Sequence, residues 1–548
     1  MTTSTSTRRN SNWTAALRQR FANRLPAEHL LPDKQPTFVR SAVYLLGALT
    51  IGSLAIVILS GIVLAFFGPQ WWHTNGVGHF FNSVHLWSVE AFFFCMALHL
   101  WGMFFMGAWR DGRGRTWVMG ALAFVVSIVA AFTGYLSQMN LDSQWIAVSA
   151  KDMFNSVGVG GFFNVLNFGQ MYGIHVVLLP LALLALVGIH VLLVRLRGVV
   201  RPYRAKGEQR AAYTKGMTQE QYYQGVRMAP YDLVRELTLV SIAALVVILV
   251  LASVYSSPDE QPLTLQSVAQ NDPAGFAAVA LSELAGDSTI AQYGPPYNTQ
   301  DGSVQSIGPF SPQQLAGTPL SLDTAQVYVL GPLATVHNPD ITAALKTFGD
   351  ASADQQSTWE SAYADALGKS NGTIDEFGHI KVADGDYGPL PVMFGTLLDI
   401  GRSGALDGIL LADGRFYQTD YTKPLLFLNE KALPDRAEEL HLLGNQWGMM
   451  NETGQYPGQA WLWLYTMWYQ VPVAPFNGPN ADVAVAFAML LLTLGLIFLP
   501  WLPFLNRLPE RLGVYRLIWR SHYRELRAEQ PQASRAADQR LERTGRIR

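Results

Sequence analysis

Four histidines lie within two apolar stretches of the sequence, and their type and spacing suggest chemistry. His85 and His99 are 14 residues apart in one stretch, and His175 and His190 are 15 residues apart in another. At 3.6 residues per turn, either interval is close to four turns of α-helix, which puts both histidines of a stretch on one face at depths roughly 21 Å apart. Because neutral imidazole is an axial ligand of haem iron, each stretch offers two iron ligands.

The direction in which the two stretches cross a membrane decides which histidines face each other. One apolar stretch lies between them, so the chain runs through both in the same direction. His85 is then expected opposite His175 near the outer surface, and His99 opposite His190 near the inner surface. Two non-covalent b haems, each held by one pair, would conduct electrons across the membrane. The alternative is that these histidines only hydrogen-bond neighbouring helices, but four in register favour haem.

Two pairs of glycines repeat the histidine spacing on the complementary stretches. Gly47 and Gly61 are 14 residues apart, and so are Gly120 and Gly134. Glycine lacks a side chain and lets a helix backbone approach the edge of a flat macrocycle closely. The alternative, small residues for helix packing, is reasonable for either pair alone. The shared spacing favours clearance for haem.

Six apolar stretches are long enough to carry these residues across a bilayer, which takes about 20 residues each. Apolar residues make up 49% of the chain and charged residues only 15%, below the usual share of about 25%. The sequence therefore predicts a mainly α membrane protein, with a four-helix dihaem bundle and two further spans. The stretches run near 39 to 67, 80 to 107, 117 to 138, 171 to 197, 234 to 255 and 483 to 505.

The charges of the connecting segments predict the orientation of the chain. The first 40 residues hold seven basic and two acidic residues, and the loops 108 to 116 and 195 to 235 are rich in arginine. The segment 256 to 480, by contrast, holds 25 acidic and 8 basic residues. Basic segments stay on the cytoplasmic side. We therefore predict a multi-pass protein of the plasma membrane with both termini in the cytoplasm and 256 to 480 on the outer face.

The outer segment differs in character from the rest of the chain. It is rich in glycine, proline and acidic residues, and it combines runs such as AQVYVLGPL and GILLADGRFY with helix-like stretches such as DQQSTWESAYADALGK. This pattern predicts a mixed α/β extramembrane domain, which we interpret as an interaction domain. The predicted organisation is a cytoplasmic tail (1–38), the dihaem four-helix bundle (39–205), a cytoplasmic loop (206–233), a fifth transmembrane helix (234–255), the outer-face domain (256–480), a sixth transmembrane helix (481–506) and a basic cytoplasmic tail (507–548).

A single cysteine limits the other kinds of metal site. Cys95 lies in the middle of an apolar stretch, and the chain has no C-x-x-C-H motif for covalent haem. Neither a disulfide framework nor a Cys-rich cluster is therefore expected. No nucleic-acid partner is expected either. Any haem must be held by ligands other than cysteine.

Residues 35 to 205 resemble the cytochrome b of the cytochrome bc and chloroplast-type b-f complexes, whose haem domain has this order of glycines and histidines. The resemblance implies a subunit of a quinol-linked oxidoreductase complex similar to quinol–cytochrome c reductase, with a quinone or quinol as substrate. Its partners would be a Rieske iron–sulfur protein, a c-type cytochrome or another outer-face redox protein, and a homodimer is a further expectation. The stretches that carry the resemblance are LSGIVLAFFGP, HLWSVEAFFFCMALHLWGMFFMGAWR, TWVMGALAFVVSIVAAFTGYL and YGIHVVLLPLALLALVGIHVLLVRLRG.

The fourth and fifth stretches add detail to this resemblance. The 15-residue histidine step, with Pro180 after its first ligand and Arg195 after its second, is more similar to the b-f branch. That branch attaches a third haem to a cysteine near the inner surface, which this chain lacks, so two haems are expected. In MAPYDLVREL, Glu236 matches an acidic residue that lines the inner quinone site of the bc branch. Arg195 and Glu236 are thus quinone candidates, and the alternative is that both are charges snorkelling at a helix end.

The outer part of the chain departs from the family pattern. The family's outer quinol site has a Pro-Glu-Trp-Tyr motif, whose glutamate helps to remove a quinol proton, and this tetrapeptide is absent from the sequence. The nearest analogue is Pro457-Gly458-Gln459-Ala460, followed by WLWLYTMWYQVP. LSQMNLDSQW stands in place of the family's Pro-Trp-Gly loop. Because quinol oxidation needs a base within reach, Glu452 or Asp482 would have to substitute for the glutamate.

These features lead to one main hypothesis and three alternatives. The main hypothesis is a membrane subunit that carries electrons between the quinone pool and a redox partner through two b haems. One alternative is a divergent but complete bc-type subunit that oxidises quinol with a Rieske partner. Another is a quinone-linked membrane anchor for an outer-face oxidoreductase, with quinone chemistry at the inner site only. The last is a haem-free transporter or scaffold that kept the fold.

Overall fold

Six long helices dominate the structure, which is a computed structural model. In a bilayer each backbone polar group must be satisfied within its own segment, so long apolar runs with almost no charge form helices. Spans 1 to 6, as we number these helices, are Ala42–Phe67, Gly76–Phe105, Gly114–Leu136, Phe168–Arg197, Leu233–Val254 and Ala481–Trp501. All six predicted spans are thus found, with ends that differ by a few residues. The chain is a multi-pass membrane protein.

The structure describes most of the chain but not its ends. The described residues are 30–205, 208, 212–257, 259–289, 305–316, 322–370, 372–376, 378–412, 418–440, 442 and 460–528. Most of the predicted N-terminal tail, the end of the C-terminal tail, Glu452 and the Pro457-Gly458-Gln459 segment lie outside them.

The spans pack as neighbouring pairs. Span 1 packs along span 2 and span 3 along span 4, while span 5 lies against spans 1 and 2, and span 6 against span 3. The helices with the histidines, spans 2 and 4, therefore each lie beside a helix with the predicted glycines. At the end of the bundle that we predict to face the cytoplasm, which we call the inner end, a two-stranded antiparallel sheet joins Lys34–Pro36 to Met228–Pro230. The short helices Thr37–Arg40 and Gln219–Tyr222 are also on this side of the bundle.

The outer segment is helical in its described residues, and the predicted strands are wrong there. AQVYVL forms a π-helical turn, Ala325–Leu330, and GILLA ends a helix, while bridges such as Ile374 with Ile380 are isolated. The periodicity of a short apolar run does not distinguish a strand from a buried helix, and here the buried runs are helical. The helices are Leu265–Asn271, Pro273–Ala285, Pro312–Ala316, Ala325–Leu330, Gly331–Ala334, Pro339–Asp350, Ala353–Lys369, Leu390–Arg402, Ala405–Ala412, Thr422–Asn429, Ala432–Glu439, Ala460–Leu462 and Trp463–Trp468.

The outer helices share one hydrophobic core with the loop between spans 3 and 4. This loop contains the helix Leu141–Ser156, whose Leu141, Ile146 and Ala147 are almost completely buried together with Leu265, Phe276 and Leu397 of the outer segment. The outer segment is therefore anchored directly above the bundle.

The inner end of the molecule has a second core. Trp519 is completely buried, and its indole N–H donates to the Tyr44 hydroxyl at 2.9 Å. The Tyr523 hydroxyl donates to the Tyr203 carbonyl at 2.8 Å. The start of the segment predicted as a basic tail thus packs against the bundle, through the helices Leu508–Leu512 and Tyr515–Ile518.

Candidate haem and quinone sites

The outer histidines face each other across the bundle. The ring centroids of His85 in span 2 and His175 in span 4 are 6.3 Å apart, and the ring planes are almost perpendicular, at 89°. Both rings line a partly open cavity, together with Gly61 and Gly134. Among the described residues, no group of three or more His, Cys, Asp and Glu side chains could hold a metal ion. Two imidazoles without a third ligand suit the axial positions of a haem rather than a bare ion.

The second pair of histidines lies in the same two spans, nearer to the inner end of the bundle. His99 and His190 are close enough to act on each other electrostatically. The guanidinium of Arg113 acts electrostatically on His190. It is almost fully buried, its Nη1 donates to the Arg197 and Gly198 carbonyls, and its Nε has no hydrogen-bond partner among the described residues. A buried cation with an unpaired donor suits the acidic edge of a haem. The site therefore has two possible iron ligands and one possible partner for a carboxylate.

Each predicted glycine lies against one of the four histidines. A Cβ atom at Gly47 would be 3.2 Å from Cε1 of His99, and at Gly61 3.0 Å from Cε1 of His85. The same holds for spans 3 and 4. A Cβ at Gly120 would lie 3.0 Å from Cε1 of His190, and a Cβ at Gly134 would lie 2.5 Å from Cε1 of His175. The glycines therefore leave room for the imidazole rings themselves, a contact that the spacing alone did not reveal.

Hydrogen bonds hold three of the four imidazoles by Nδ1. Nδ1 of His175 donates to the Ala130 carbonyl, and Nδ1 of His190 to the Thr116 carbonyl, both at 2.9 Å. Since a carbonyl only accepts, Nδ1 carries the proton, which leaves Nε2 with its lone pair in the neutral ring. Metal-bound histidines usually have such a partner on the other nitrogen.

His85 has the same tautomer for a different reason. Its Nδ1 is 3.0 Å from the Ser60 hydroxyl, and this hydroxyl donates its own proton to the Ile56 carbonyl at 2.8 Å. The Val57 carbonyl also accepts a hydrogen bond from this ring, and since a carbonyl only accepts, Nδ1 carries the proton and Ser60 accepts from it. Nδ1 of His99, by contrast, is buried and has no hydrogen-bond partner among the described residues. Ser60 was not predicted, and its only sequence signal is its place beside Gly61.

The two quinone candidates lie at the inner side, joined by a tyrosine. The Tyr231 hydroxyl donates to Oε1 of Glu236 at 2.9 Å, and Arg195 interacts with the same hydroxyl. Burial and the neighbouring Glu236 together raise the pKa of Tyr231 to about 12, against the opposing effect of Arg195. Tyr231 was not predicted as a site residue, although it lies in the MAPYDLVREL segment. The cluster combines a donor, an acceptor and a cation, as binding of a quinone oxygen requires.

The outer cavity is lined by aromatic residues from four parts of the chain. Trp461, from the aromatic segment before span 6, lines it and lies edge-on to Tyr135 at 6.3 Å. Trp72 and Tyr172 also line it. Asp482, a suggested proton acceptor, does not line the cavity and instead accepts from Tyr469 and Gln305, both at 2.8 Å. Its hydrogen bonds therefore give it a structural role.

Comparison with known families adds independent support. The family model described as "Cytochrome b(N-terminal)/b6/petB" matches residues 90–262. This range includes His99, His175 and His190 together with the glycines of span 3.

Several curated proteins align with the membrane part of the chain. The cytochrome b6 of Heliobacterium modesticaldum is 28% identical over 198 residues, which is 32% of this chain and 93% of that protein. The menaquinol:cytochrome c reductase cytochrome b subunit of Geobacillus thermodenitrificans is 28% identical over 201 residues, or 32% and 90% of the two chains. The cytochrome bc complex cytochrome b subunit of Chlorobaculum thiosulfatiphilum is 27% identical over 213 residues, or 34% and 48%. Each alignment covers about a third of this chain.

Proposed function

The membrane part of this chain is a cytochrome b of the family found in bc and b6f complexes, and we propose that it carries electrons across the membrane through two b-type haems. The electrons would pass between the quinone pool and a redox partner of a respiratory complex. The family supports membrane electron transfer linked to quinone. The number of haems, their ligands and the partners belong to the proposal.

One observation carries the proposal, namely that four histidines and four glycines pair one to one in four adjacent helices. His85 and His175 would hold the outer haem, and His99 and His190 the inner haem, each through Nε2. A bound haem would supply reversible one-electron transfer. The chain fixes the tautomer of three rings, leaves space for them at the glycines and keeps Arg113 near His190.

The quinone would bind at the inner side between Arg195 and Glu236, with Tyr231 between them. The outer segment, with its excess of acidic residues, would receive a Rieske protein, a c-type cytochrome or another outer-face redox protein. The proposal also includes a homodimer. It places the protein in the plasma membrane with both termini in the cytoplasm, because the loops with most basic residues share one side of the membrane.

The test is a reduced-minus-oxidised absorbance spectrum of the purified membrane protein with quantitation of its pyridine haemochrome. We expect about two non-covalent b haems per chain. His85→Ala and His190→Ala should each lose one, whereas His337→Ala, an exposed histidine of the outer segment, should keep both. A chain without haem would refute the proposal and favour a transporter or scaffold.

A second candidate function follows from the missing Pro-Glu-Trp-Tyr motif. In this case the chain would anchor an outer-face oxidoreductase and react with quinone only at the inner site. The two candidates differ in the effect of Glu236→Gln. If this substitution abolishes all haem reduction by quinol, the anchor function is favoured; if a quinol still reduces haem, an outer quinol site exists.

A further inference from the structure

Most exposed apolar side chains of the outer segment lie close to span 6. Between 256 and 480 the structure describes seven large apolar side chains that are exposed, and five of them are in 305–316 or 460–476, the two stretches that contact span 6. Exposed apolar residues are normally scattered singly, and a concentration of them marks a surface that binds something. The five are Ile307, Phe310, Leu315, Leu464 and Val473, and the other two are Ile374 and Val392.

Hydrogen bonds fix the stretch 305–316 at the outer end of span 6. The Ser306 N–H donates to Oδ1 of Asn480, the residue before span 6, at 2.9 Å. Nε2 of Gln305, which is almost fully buried, donates to Oδ2 of Asp482 in the first turn of the span at 2.8 Å. Span 6 has 21 residues, which is about the length that crosses the hydrocarbon of a bilayer. The stretch 305–316 therefore lies at the level of the lipid headgroups.

The loop between spans 3 and 4 brings a further apolar side chain to this level. Nε2 of Gln170, near the start of span 4, donates to the carbonyl of Phe162 at 2.9 Å, and Phe162 is 73% exposed. The loop touches the stretch described above at Gly158, whose added Cβ atom would lie 2.5 Å from Cβ of Ala316. Leu315, the residue before Ala316, is 78% exposed. The two most exposed apolar side chains of this region thus belong to two loops that touch each other.

The stretches around this surface carry no charge. Residues 157–174, 305–316 and 460–481 contain no Asp, Glu, Lys or Arg, although the segment 256–480 holds 25 acidic and 8 basic residues. A surface that docks a redox protein is expected to have charges complementary to those of its partner. An uncharged apolar surface at headgroup level instead suits lipid, in which aromatic side chains are favoured at the interface.

We propose that Phe162, Ile307, Phe310 and Leu315, which we call the outer apolar face, insert into the lipid leaflet at the outer end of the bundle. The face would lie at the boundary between headgroups and acyl chains, as the apolar side of an interfacial element does. Its partner is the lipid surface itself. The insertion would hold the outer segment against the membrane through side chains that are not part of any span. This inference requires the multi-pass membrane fold and not the proposed haem function.

The test measures the depth of spin labels attached to single cysteines. Phe162→Cys, Phe310→Cys and Leu315→Cys, each in a Cys95→Ala background, are reconstituted into vesicles of phosphatidylcholine and phosphatidylglycerol. Oxygen concentrates in lipid and a nickel chelate stays in water, so the ratio of the two accessibilities increases with depth. We expect this ratio to be several-fold higher at all three positions than at the control position. Leu315→Glu should lower the ratio at Phe310→Cys towards the control, because a carboxylate is unfavourable in lipid.

The matched control is Ile374→Cys in the same background. Ile374 is also apolar and is 49% exposed in the outer segment, but Asp375 and Glu376 follow it, so its label should be open to the nickel chelate. All labelled positions are exposed, so the haem content should equal that of the parent. Labels on the outer apolar face that are as open to nickel as the control would place the face in water and overturn the proposal. Labels protected from both oxygen and nickel would also overturn it, since a second copy or a partner protein would then cover the face.

Discussion

The glycine that lies against each of the four histidines determines how closely the two helices can approach each other. A Cβ atom closer than about 3 Å to a ring carbon overlaps it, and a helix interior gives the backbone little freedom to move. Gly134 is the tightest of the four positions, since its Cβ would lie 2.5 Å from Cε1 and 3.0 Å from Nε2 of His175. A side chain here would displace the nitrogen that we assign to the iron.

We predict that Gly134→Ala loses the outer haem and so about half of the haem content. The matched control is Gly188→Ala in span 4, where no atom of the described residues lies within 4 Å of the added Cβ. This control should keep both haems and gain up to about 1 kcal/mol of stability from the better helix propensity of alanine. Haem per chain and the thermal unfolding midpoint measure the two effects. Equal haem contents in the two variants would contradict the assigned role of Gly134.

Among the helices, span 4 has to bring its two histidines into register with those of span 2. Its histidines are 15 residues apart and those of span 2 are 14 apart, so two regular helices would place one pair out of line by about 100°. The turn Ile174–Leu178 is a π-helix, which takes up one extra residue. Pro180 follows it and lacks the N–H that a regular helix would use there. The π-turn thus brings both histidines of span 4 to the same face.

We predict that deletion of Val177 converts the π-turn into regular helix and leaves a 14-residue step, with both haems retained. Deletion of Leu186, in the regular part of span 4, also gives a 14-residue step but should rotate His190 away from His99 and lose the inner haem. Spectral quantitation of the two b haems distinguishes the variants. Loss of the same haem in both would mean that the π-turn has no role in register.

At the scale of the whole molecule, the two ends of the bundle carry different structures. The outer segment shares its core with the loop between spans 3 and 4, and it contributes Trp461 to the outer cavity. The inner end is covered by arginine-rich loops and by residues around Trp519. A partner that docks at this end of the molecule would meet an acidic helical domain first, with the proposed outer haem site beneath it.

We predict that a membrane-impermeant maleimide labels Lys346→Cys in whole cells but labels Arg511→Cys only after permeabilisation, both in a Cys95→Ala background. Lys346 is exposed in the outer segment, and Arg511 is exposed after span 6. The expected pattern follows from six spans and from the positive-inside distribution of charge. Labelling of Arg511→Cys in intact cells would place the C-terminus outside and reverse the topology.

The sequence alone predicts the six spans and the resemblance to cytochrome b, because apolar length and the order of histidines and glycines are one-dimensional properties. It did not determine the outer segment, since short apolar runs fit strand and helix equally until burial selects one. Nor did it reveal Ser60 or Tyr231. Ser60 matters because the packing of span 1 against span 2 brings its hydroxyl to Nδ1 of His85, and Tyr231 matters because the start of span 5 brings Glu236 within hydrogen-bonding distance of its hydroxyl.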